Sequence, residues 1–378
     1  MSKSILLLFL TMPLFVSCYI RISEKPKTEN TAVIEMDMNT YLVDLGIDDD
    51  YYPTELLIDS DMDGVLAAYD GKGTAFFVTS DGGKTWEKRG VIKDVMCKFI
   101  QKSEGVIYCH FFNINNLDEE CVLSSKDNGK TWNTVLKSEH MIYRFNALKG
   151  GILVALVIDP ETIDTIFEQE YYLITTVNHG KDWKDLRPYM VNNLKSTELC
   201  FIDNSVIYTS WAKENNVIKF NLITFQSDTI YRSKELMPGL LGGEDVIGIW
   251  EGHRANFYRV TKDSTIFMSS IWNPKARLRN YIPHEVYQFE DVVYTYIIEL
   301  TYNGKHQNYI STDRAKTWSK INFDTTMDEE YATRSSAKTG YKDKIIFYCV
   351  GEKDGKRQDF IKVIKPKSWR DIRKSSIS

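Results

Sequence analysis

The sequence has few residues arranged for the common catalytic chemistries. Its six histidines are scattered, with no HExxH or HxxxH grouping, the spacing that places two zinc ligands on one helix face. It also lacks GxSxG, the turn that exposes a nucleophilic serine, and a glycine-rich loop that could cradle phosphate. From the sequence we therefore assign no catalytic residue and expect no cofactor, apart from the Ca²⁺ considered below.

Basic runs are equally scarce. The formal net charge is −5, and the only cluster of basic residues is the C-terminal tail around Arg370, Arg373 and Lys374. A surface of this sign repels phosphate groups. We expect no nucleic-acid partner.

The six cysteines include no CxxC pair. If Cys18 serves as an anchor, as argued below, five remain, and an odd number without metal spacing argues against a disulfide framework. Cys97 and Cys109 fall on strands predicted to be neighbours and could pair in an oxidising compartment. The alternative is that the cysteines are small buried apolar side chains.

The N-terminus predicts export. Lys3 precedes an apolar run that ends in LFVSC at Cys18, and this segment is short for a membrane-spanning helix. LFVSC resembles the lipobox of bacterial lipoproteins, although Phe15 stands where that family prefers Leu. The resemblance implies removal of the signal and acylation of Cys18. An ordinary cleaved secretory signal and an uncleaved anchor are the alternatives.

These features predict a signal peptide over 1–17, a lipidated cysteine and polar tether over 18–32, and one domain over 33–378. The residue after Cys18 is Tyr19 rather than Asp. In enteric-type sorting, this favours an outer-membrane lipoprotein that faces the periplasm or the cell surface. The membrane is then one partner of the chain, reached through the lipid.

Aromatic residues are abundant, with 22 Tyr, 18 Phe and 8 Trp, and this favours β-strands over helices. One pattern, [S/T]x[D/N]x[G/A]K[T/D]W, follows an apolar stretch four times. We call these segments the tryptophan corners: TSDGGKTW at 79–86, SKDNGKTW at 125–132, TVNHGKDW at 176–183 and STDRAKTW at 311–318.

Each corner has the composition of a tight turn that closes a strand. The Asp or Asn can accept hydrogen bonds from backbone amides in the turn, and the Gly suits a positive φ. Ala315 replaces that Gly in the fourth corner. The Trp then begins the returning strand and buries a large flat surface. The residues assigned these structural roles are Asp81, Gly83, Trp86, Asp127, Gly129, Trp132, Asn178, Gly180, Trp183, Asp313 and Trp318.

The corners resemble the Asp-box, or BNR repeat, of sialidases, photosystem II stability factor-like propellers and sortilin-type receptors. In those families the repeat joins the third and fourth strands of a propeller blade, away from the binding face. The resemblance implies an all-β propeller of four-stranded antiparallel blades. It is specific for fold and carries little about function.

A second turn recurs upstream of the corners, at Gly64, Gly105, Gly151, Ser205, Asp291 and Lys344, with a further copy at Gly252. The step of about 47 residues matches one blade. Seven blades fit best, with six as the alternative. We expect degenerate corners near Asp228 and Asn273 and the remnant KPKSW ending at Trp369. A strand from residues 33–45 should join the last blade and close the ring.

The resemblance to sialidases raises a glycosidase hypothesis. Those enzymes use three arginines, a Tyr with a Glu partner, and an Asp. The text most similar to their RIP motif is YIRIS at Arg21, which lies beside the proposed anchor. Arg254, Arg259, Arg277, Arg279 and Arg334, and Tyr287 or Tyr296 with Glu299, are candidates that no motif selects.

The segment DSDMDGVLAAYD raises a calcium hypothesis. Asp59, Asp61, Asp63 and Asp70, with Gly64, match EF-hand loop positions, and alternating oxygen ligands suit Ca²⁺. The flanks read as strands and the last ligand is Asp rather than Glu. An exposed acidic turn is the alternative.

The function predicted from sequence is therefore a non-enzymatic scaffold that binds a protein or glycan partner at the bacterial cell envelope. Acidic and aromatic residues occur together at 48–52 and 328–331 and could form a protein-binding patch. An exo-glycosidase of the sialidase type, or a carbohydrate-binding protein, is the alternative. A third hypothesis is an assembly factor for one exported protein.

Overall fold

The computed structural model describes residues 38–44, 50–58, 63–116, 119–159, 170–190, 194, 199–210, 216–233, 239–242, 245–251, 254–261, 264–272, 281–289, 291–299, 306–321, 336–341, 344–353 and 356–366. Apart from two short 3₁₀ helices, Lys149–Gly151 and Arg187–Tyr189, the regular structure in these ranges is β-strand. None of the helices in this part of the chain is long and apolar enough to cross a membrane.

The strands form seven four-stranded antiparallel sheets within the described ranges, each a blade of a β-propeller. Blades 1 and 2 contain β2 (Tyr52–Ile58), β3 (Gly64–Tyr69), β4 (Gly73–Thr79) and β5 (Glu87–Lys93), then β6 (Val95–Ser103), β7 (Val106–Asn113), β8 (Glu120–Ser125) and β9 (Asn133–Ser138). Blades 3 and 4 contain β10 (Ile142–Ala147), β11 (Leu153–Ile158), β12 (Tyr171–Thr176) and β13 (Lys184–Asp185), then β14 (Leu199–Ile202), β15 (Ser205–Ser210), β16 (Asn216–Asn221) and β17 (Ser227–Arg232).

Blades 5 and 6 contain β18 (Gly239–Gly242), β19 (Val246–Glu251), β20 (Arg254–Val260) and β21 (Thr265–Trp272), then β22 (Tyr281–Phe289), β23 (Val292–Glu299), β24 (His306–Ser311) and β25 (Ser319–Ile321). Blade 7 contains β26 (Ser336–Tyr341), β27 (Lys344–Lys353), β28 (Lys356–Pro366) and, as its outermost strand, β1 (Met38–Asp44). The all-β propeller expected from the repeats is confirmed.

The first strand of each blade surrounds the propeller axis, and the ring closes. Neighbouring first strands contact one another, including β26 of blade 7 and β2 of blade 1. Between blades 3 and 4, Arg144 Nη1 donates a 2.8 Å hydrogen bond to the carbonyl of Leu199. The N-terminal strand β1 pairs antiparallel with β28 along its whole length, as predicted. One sheet is thus built from both ends of the domain, which leaves no gap in the ring.

The core lies between adjacent blades because each sheet is covered on both faces. Every residue of β11, the second strand of blade 3, is buried. By contrast, β5 at the rim of blade 1 has no buried residue. Continuous apolar runs such as LVALVI therefore form central strands, and mixed runs such as EKRGVIK form the rim.

The chain direction divides the connections between two faces. The first-to-second and third-to-fourth strand connections, including the tryptophan corners, lie on one face, which we call the corner face. The second-to-third and blade-to-blade connections lie on the other, the loop face. The described connection between blades 1 and 2, the single residue Asp94, lies on the loop face.

The tryptophan corners join third and fourth strands through one hydrogen-bond pattern. In the first, Thr79 Oγ1 accepts from the amide of Gly83 (2.9 Å), and Asp81 Oδ1 accepts from the amide of Thr85 (2.9 Å). The Thr85 hydroxyl donates to Asp81 Oδ2 (2.6 Å). The second corner repeats these bonds around Asp127 at 2.8, 2.9 and 2.6 Å.

In the third corner Asn178 replaces the Asp and Asp182 replaces the Thr. Asn178 Oδ1 accepts from the amide of Asp182 (3.1 Å), and Asn178 Nδ2 donates to Asp182 Oδ2 (2.9 Å). In the fourth, Asp313 keeps the bonds to Thr317, and Ala315 adopts φ 63° where the glycines at 83, 129 and 180 have φ 89°, 82° and 87°. The turn requires a positive φ, and in the fourth corner an alanine adopts it.

Three of the corner tryptophans, Trp132, Trp183 and Trp318, pack onto the preceding blade. Trp132 lies 4.5 Å from Phe76 of blade 1, and Trp318 lies 4.4 Å from Phe257 of blade 5, measured between ring centroids. Trp183 donates from Nε1 to the carbonyl of Val135 in blade 2 (3.0 Å). The corners thus join blades as well as strands.

One positional expectation was wrong. The third-to-fourth connection of blade 4 lies at 222–226, whereas Asp228 lies within β17. Three further expected turn positions, Gly252, Asn273 and the remnant ending at Trp369, lie outside the described residues.

The corner carboxylates predict how stability responds to acid. Hydrogen bonds, first those from Thr85 and Thr131, lower the pKa of Asp81 and of Asp127 from 3.8 to about 2. A carboxyl whose pKa is depressed by folding stabilises the protein above its unfolded pKa, and this stabilisation is lost as pH falls toward the folded value. Asn can occupy the same place, as Asn178 does.

We therefore expect the double variant Asp81→Asn, Asp127→Asn to lose less thermal stability than the unsubstituted protein as pH falls from about 4 to about 2. Melting temperatures measured by circular dichroism across this range would test it, with the exposed Glu139→Gln as control. Parallel curves for the double variant and the unsubstituted protein would contradict the assignment.

Candidate functional site

The loop-face mouth of the central channel is bordered by the beginnings of the first strands, and these strands share an irregularity. In five of them the pairing register shifts by one residue, a β-bulge, near the loop face. The residues passed over are Thr54, Lys98, Tyr143, His284 and Lys338. Bulges re-aim side chains and often occur beside functional sites, so we take this mouth as the candidate site.

A buried charged network lies at the mouth in blade 2. Glu120, at the start of β8, is 2% exposed, and so is His110 of β7. Glu120 Oε1 accepts from Lys98 Nζ, its Oε2 lies 2.7 Å from His110 Nε2, and Oε2 also accepts from the Ile142 amide at 2.6 Å. One carboxylate therefore ties three strands of blade 2 to the first strand of blade 3.

The Glu120 carboxylate finds its partners within the network. Burial acts to raise the pKa of the Glu120 carboxyl, but hydrogen bonds and charge from His110 and Lys98 outweigh burial and hold this pKa below its usual value. Lys98 keeps about a third of its side chain exposed and lies 5.5 Å from the Phe112 ring centroid. Glu120 is thus an ionised partner within the protein rather than a free acid poised for proton transfer.

Exposed apolar side chains lie around the same mouth. Tyr52 is 51% exposed, Met141 is 45% and Tyr143 is 51%. Met141 and Tyr143 flank Ile142, whose amide binds Glu120. Tyr143 also packs edge-on against Tyr171, with ring centroids 5.4 Å apart. Exposed aromatic and methionine side chains around a rigid charged network are typical of recognition surfaces.

One predicted acidic and aromatic patch contributes to this mouth. Tyr52 belongs to the segment 48–52, whereas Tyr51 packs against Phe77 (5.3 Å) beneath Lys88. The segment 328–331 lies outside the described residues.

The residues proposed for a sialidase site do not come together where the structure describes them. Arg259 Nε binds Asp245 Oδ2 at 2.9 Å. Glu299 pairs with Tyr281, six residues from Tyr287 on β22, so Tyr287 and Glu299 are about 20 Å apart along the sheet. Tyr296 and Glu299 are three residues apart on β23, and the structure does not describe their side chains. Arg21, Arg277, Arg279 and Arg334 lie outside the described residues, and Arg254 begins β20.

The proposed calcium ligands are also separated. Asp63 and Asp70 lie at opposite ends of β3, about 20 Å apart, so one ion cannot contact both. Asp70 Oδ1 instead accepts from the amides of Lys72 (2.9 Å) and Gly73 (2.8 Å). Asp59 and Asp61 lie outside the described residues, among which no cluster of metal-binding side chains occurs.

The four cysteines whose side chains the structure describes, Cys97, Cys109, Cys121 and Cys200, are free thiols. Cys97 and Cys109 are buried together in the core between blades 1 and 2. Burial and contact with Cys97 raise the pKa of the Cys109 thiol well above its usual value. These cysteines act as the small apolar side chains of the second sequence alternative.

Comparison with known proteins identifies the fold. No protein-family model matches the chain, and no curated protein matches it in sequence. Among solved structures, an oligogalacturonate lyase from Vibrio parahaemolyticus is similar over 90% of this chain and 100% of its own, with a TM-score of 0.58 and 10% identity. An uncharacterized protein from Listeria monocytogenes EGD-e covers 88% and 97%, with a TM-score of 0.51 and 9% identity.

A Pyrococcus horikoshii acylaminoacyl peptidase is similar over 82% of this chain, with a TM-score of 0.52 and 9% identity. The chain spans about half the length of that peptidase, 52%. At these identities the similarity shows the fold alone.

The buried network predicts a large effect from a small change. We expect Glu120→Gln to lower the free energy of unfolding by about 3–5 kcal/mol, because it leaves Lys98 and His110 without their carboxylate. Chemical denaturation would measure it. The exposed Glu139→Gln should change stability by about 0.5 kcal/mol or less, and an equally small effect at Glu120 would show that the network contributes little.

Proposed function

We propose that the chain is an Asp-box propeller, held at the bacterial cell envelope by a lipid on Cys18, whose loop-face channel mouth binds another protein without catalysing a reaction. The observation that carries the binding role is the set of exposed apolar side chains at Tyr52, Met141 and Tyr143. Large apolar side chains kept in water are costly, and recognition by a partner explains them best.

The Asp-box assignment is supported by the bonding of the corners. Four segments, at Asp81, Asp127, Asn178 and Asp313, share a side-chain acceptor for the amide four residues on. All four lie on the corner face. In the proposed protein they supply rigidity, which leaves the opposite face to bind.

The non-enzymatic character is supported by pairing of the charged groups. In the described part of the chain, Glu120 is committed to Lys98 and His110, and Arg187, Arg259 and Arg314 each bind an Asp. Groups engaged in this way hold structure. Carbohydrate binding is the second candidate, favoured by the Tyr143–Tyr171 aromatic pair beside the mouth.

The anchor can be tested independently of the binding role. We expect the protein expressed in a Gram-negative host to fractionate with membranes and its Cys18→Ser variant to become soluble, because the thiol is the site of acylation. Mass spectrometry of the mature N-terminus would show the added lipid. A protein that stays with membranes after Cys18→Ser would contradict lipidation at this residue.

The channel mouth can be tested by photocrosslinking in the native envelope. A photoreactive phenylalanine analogue at Tyr143 should give a discrete crosslinked protein, whereas the same analogue at Val177, equally exposed on the corner side of blade 3, should not. Equal crosslinking at both positions would overturn the proposed surface. Protection of position 143 by a glycan, without any protein adduct, would favour the carbohydrate candidate.

A further inference from the structure

A cleft of about 270 Å³ opens on the corner face between blades 1 and 2. Its inner wall is apolar, formed by Leu57, Val65 and Val78, and its rim carries Ser80 and Asn128. Four charged residues also line it: Asp63, Glu87, Arg89 and Lys102. Most of the lining residues are polar or charged and surround this small apolar wall. Convergent polar groups of this kind fix the orientation of a small ligand.

Arg89 interrupts a pattern among the blades. It is the third residue after the corner tryptophan Trp86, and the corresponding residues in the other three tryptophan-corner blades are all apolar: Val135, Leu186 and Ile321. Like Val135, Arg89 occupies a bulge of its outermost strand. The bulges of the outermost strands in blades 4 and 5 place apolar Ile230 and Met268 against the core.

At the junction between blades 2 and 3 the apolar residue Val135 closes the gap between the blades. At the junction between blades 1 and 2 Arg89 does not. Val135 packs so closely on Gly180 of blade 3 that a β-carbon there would lie 2.4 Å from Val135 Cγ1. Trp183 completes that seal by donating to the Val135 carbonyl. At the first junction Trp132 donates instead to Gly129 of its own turn (3.1 Å), and the cleft remains open beside Arg89.

The guanidinium of Arg89 is incompletely satisfied. Its Nη2 lies 2.7 Å from Glu87 Oε2, and 66% of the Glu87 side chain is exposed. Its Nε is buried and has no hydrogen-bond partner. An unsatisfied buried donor is unusual and needs a reason. An exposed carboxylate that already meets the guanidinium shows which group the site accepts, because paired N–H donors match carboxylate geometry.

We propose that this cleft binds a small carboxylate, up to about monosaccharide size, with Arg89 as the principal contact. Glu87 occupies Arg89 when the ligand is absent and competes with it. The site lies on the face opposite the channel mouth and does not depend on the function proposed above.

Calorimetric titration of the full-length protein with succinate, and with its neutral diamide as matched probe, tests the proposal. Succinate should bind and the diamide should not. Arg89→Leu, which supplies the apolar side chain found in other blades, should abolish binding while keeping the melting temperature unchanged or higher. Glu87→Gln should tighten binding several-fold by removing the competitor. Arg187→Leu, another rim arginine paired with Asp, is the control.

Equal affinity of the Arg89→Leu variant and the unsubstituted protein for succinate would overturn the proposal, as would equal binding of succinate and the diamide. Failure of the unsubstituted protein to bind either succinate or acetate would do the same. If Arg89→Leu does not fold, Arg89→Gln, which removes the charge but keeps a polar side chain, replaces it in the same comparison.

Discussion

The packing of a corner indole onto the preceding blade is the contact on which three of the blade junctions depend. A blade is a small sheet covered on both faces, and it is stable only where its neighbours bury those faces. At Trp132 and Trp318 the indole supplies this contact at 4.4–4.5 Å from an aromatic ring of the blade before. Hydrogen bonds to Asp127 and Asp313 fix the turns that aim these indoles. Local turn chemistry therefore sets the spacing between blades.

The same chemistry explains how much of the fold the sequence predicted. Corners with Asp, Gly and Trp at fixed positions can be recognised in a sequence. Their spacing predicted seven blades, and with them a ring closed by the N-terminal strand. Blades 4 and 5 turn by other means: Asn221 binds the amides of Ile223 and Thr224, and Thr261 exchanges bonds with Ser264. Those shorter turns need fewer specific residues and cannot be recognised in the sequence. The position expected in blade 4 from the spacing of the other corners was therefore wrong by several residues.

The candidate site was beyond prediction for a different reason. Lys98, His110 and Glu120 are spread over three strands, and no fixed spacing relates them because strand register and a bulge bring them together. Conversely, Asp63 and Asp70 have EF-hand spacing but lie at the two ends of a strand. The EF-hand pattern brings its ligands together only when the segment forms a loop. A strand between the ligands keeps them apart. The signal that could have found the network was a Glu and a His within otherwise apolar central strands.

The corner face and the loop face are under different structural constraints, and these constraints bear on which face we propose for binding. On the corner face the tryptophan corners must reproduce a turn that positions neighbouring blades, so a side chain that departs from their pattern, such as Arg89, requires a separate cause. On the loop face the connections link strands without setting blade spacing, and one of them is the single residue Asp94. Connections whose length is not fixed by blade spacing suit the binding role that we propose for that face. The buried Glu120 also supports the channel mouth. It accepts a hydrogen bond from the Ile142 amide and so fixes the exposed Met141 and Tyr143 on a rigid strand.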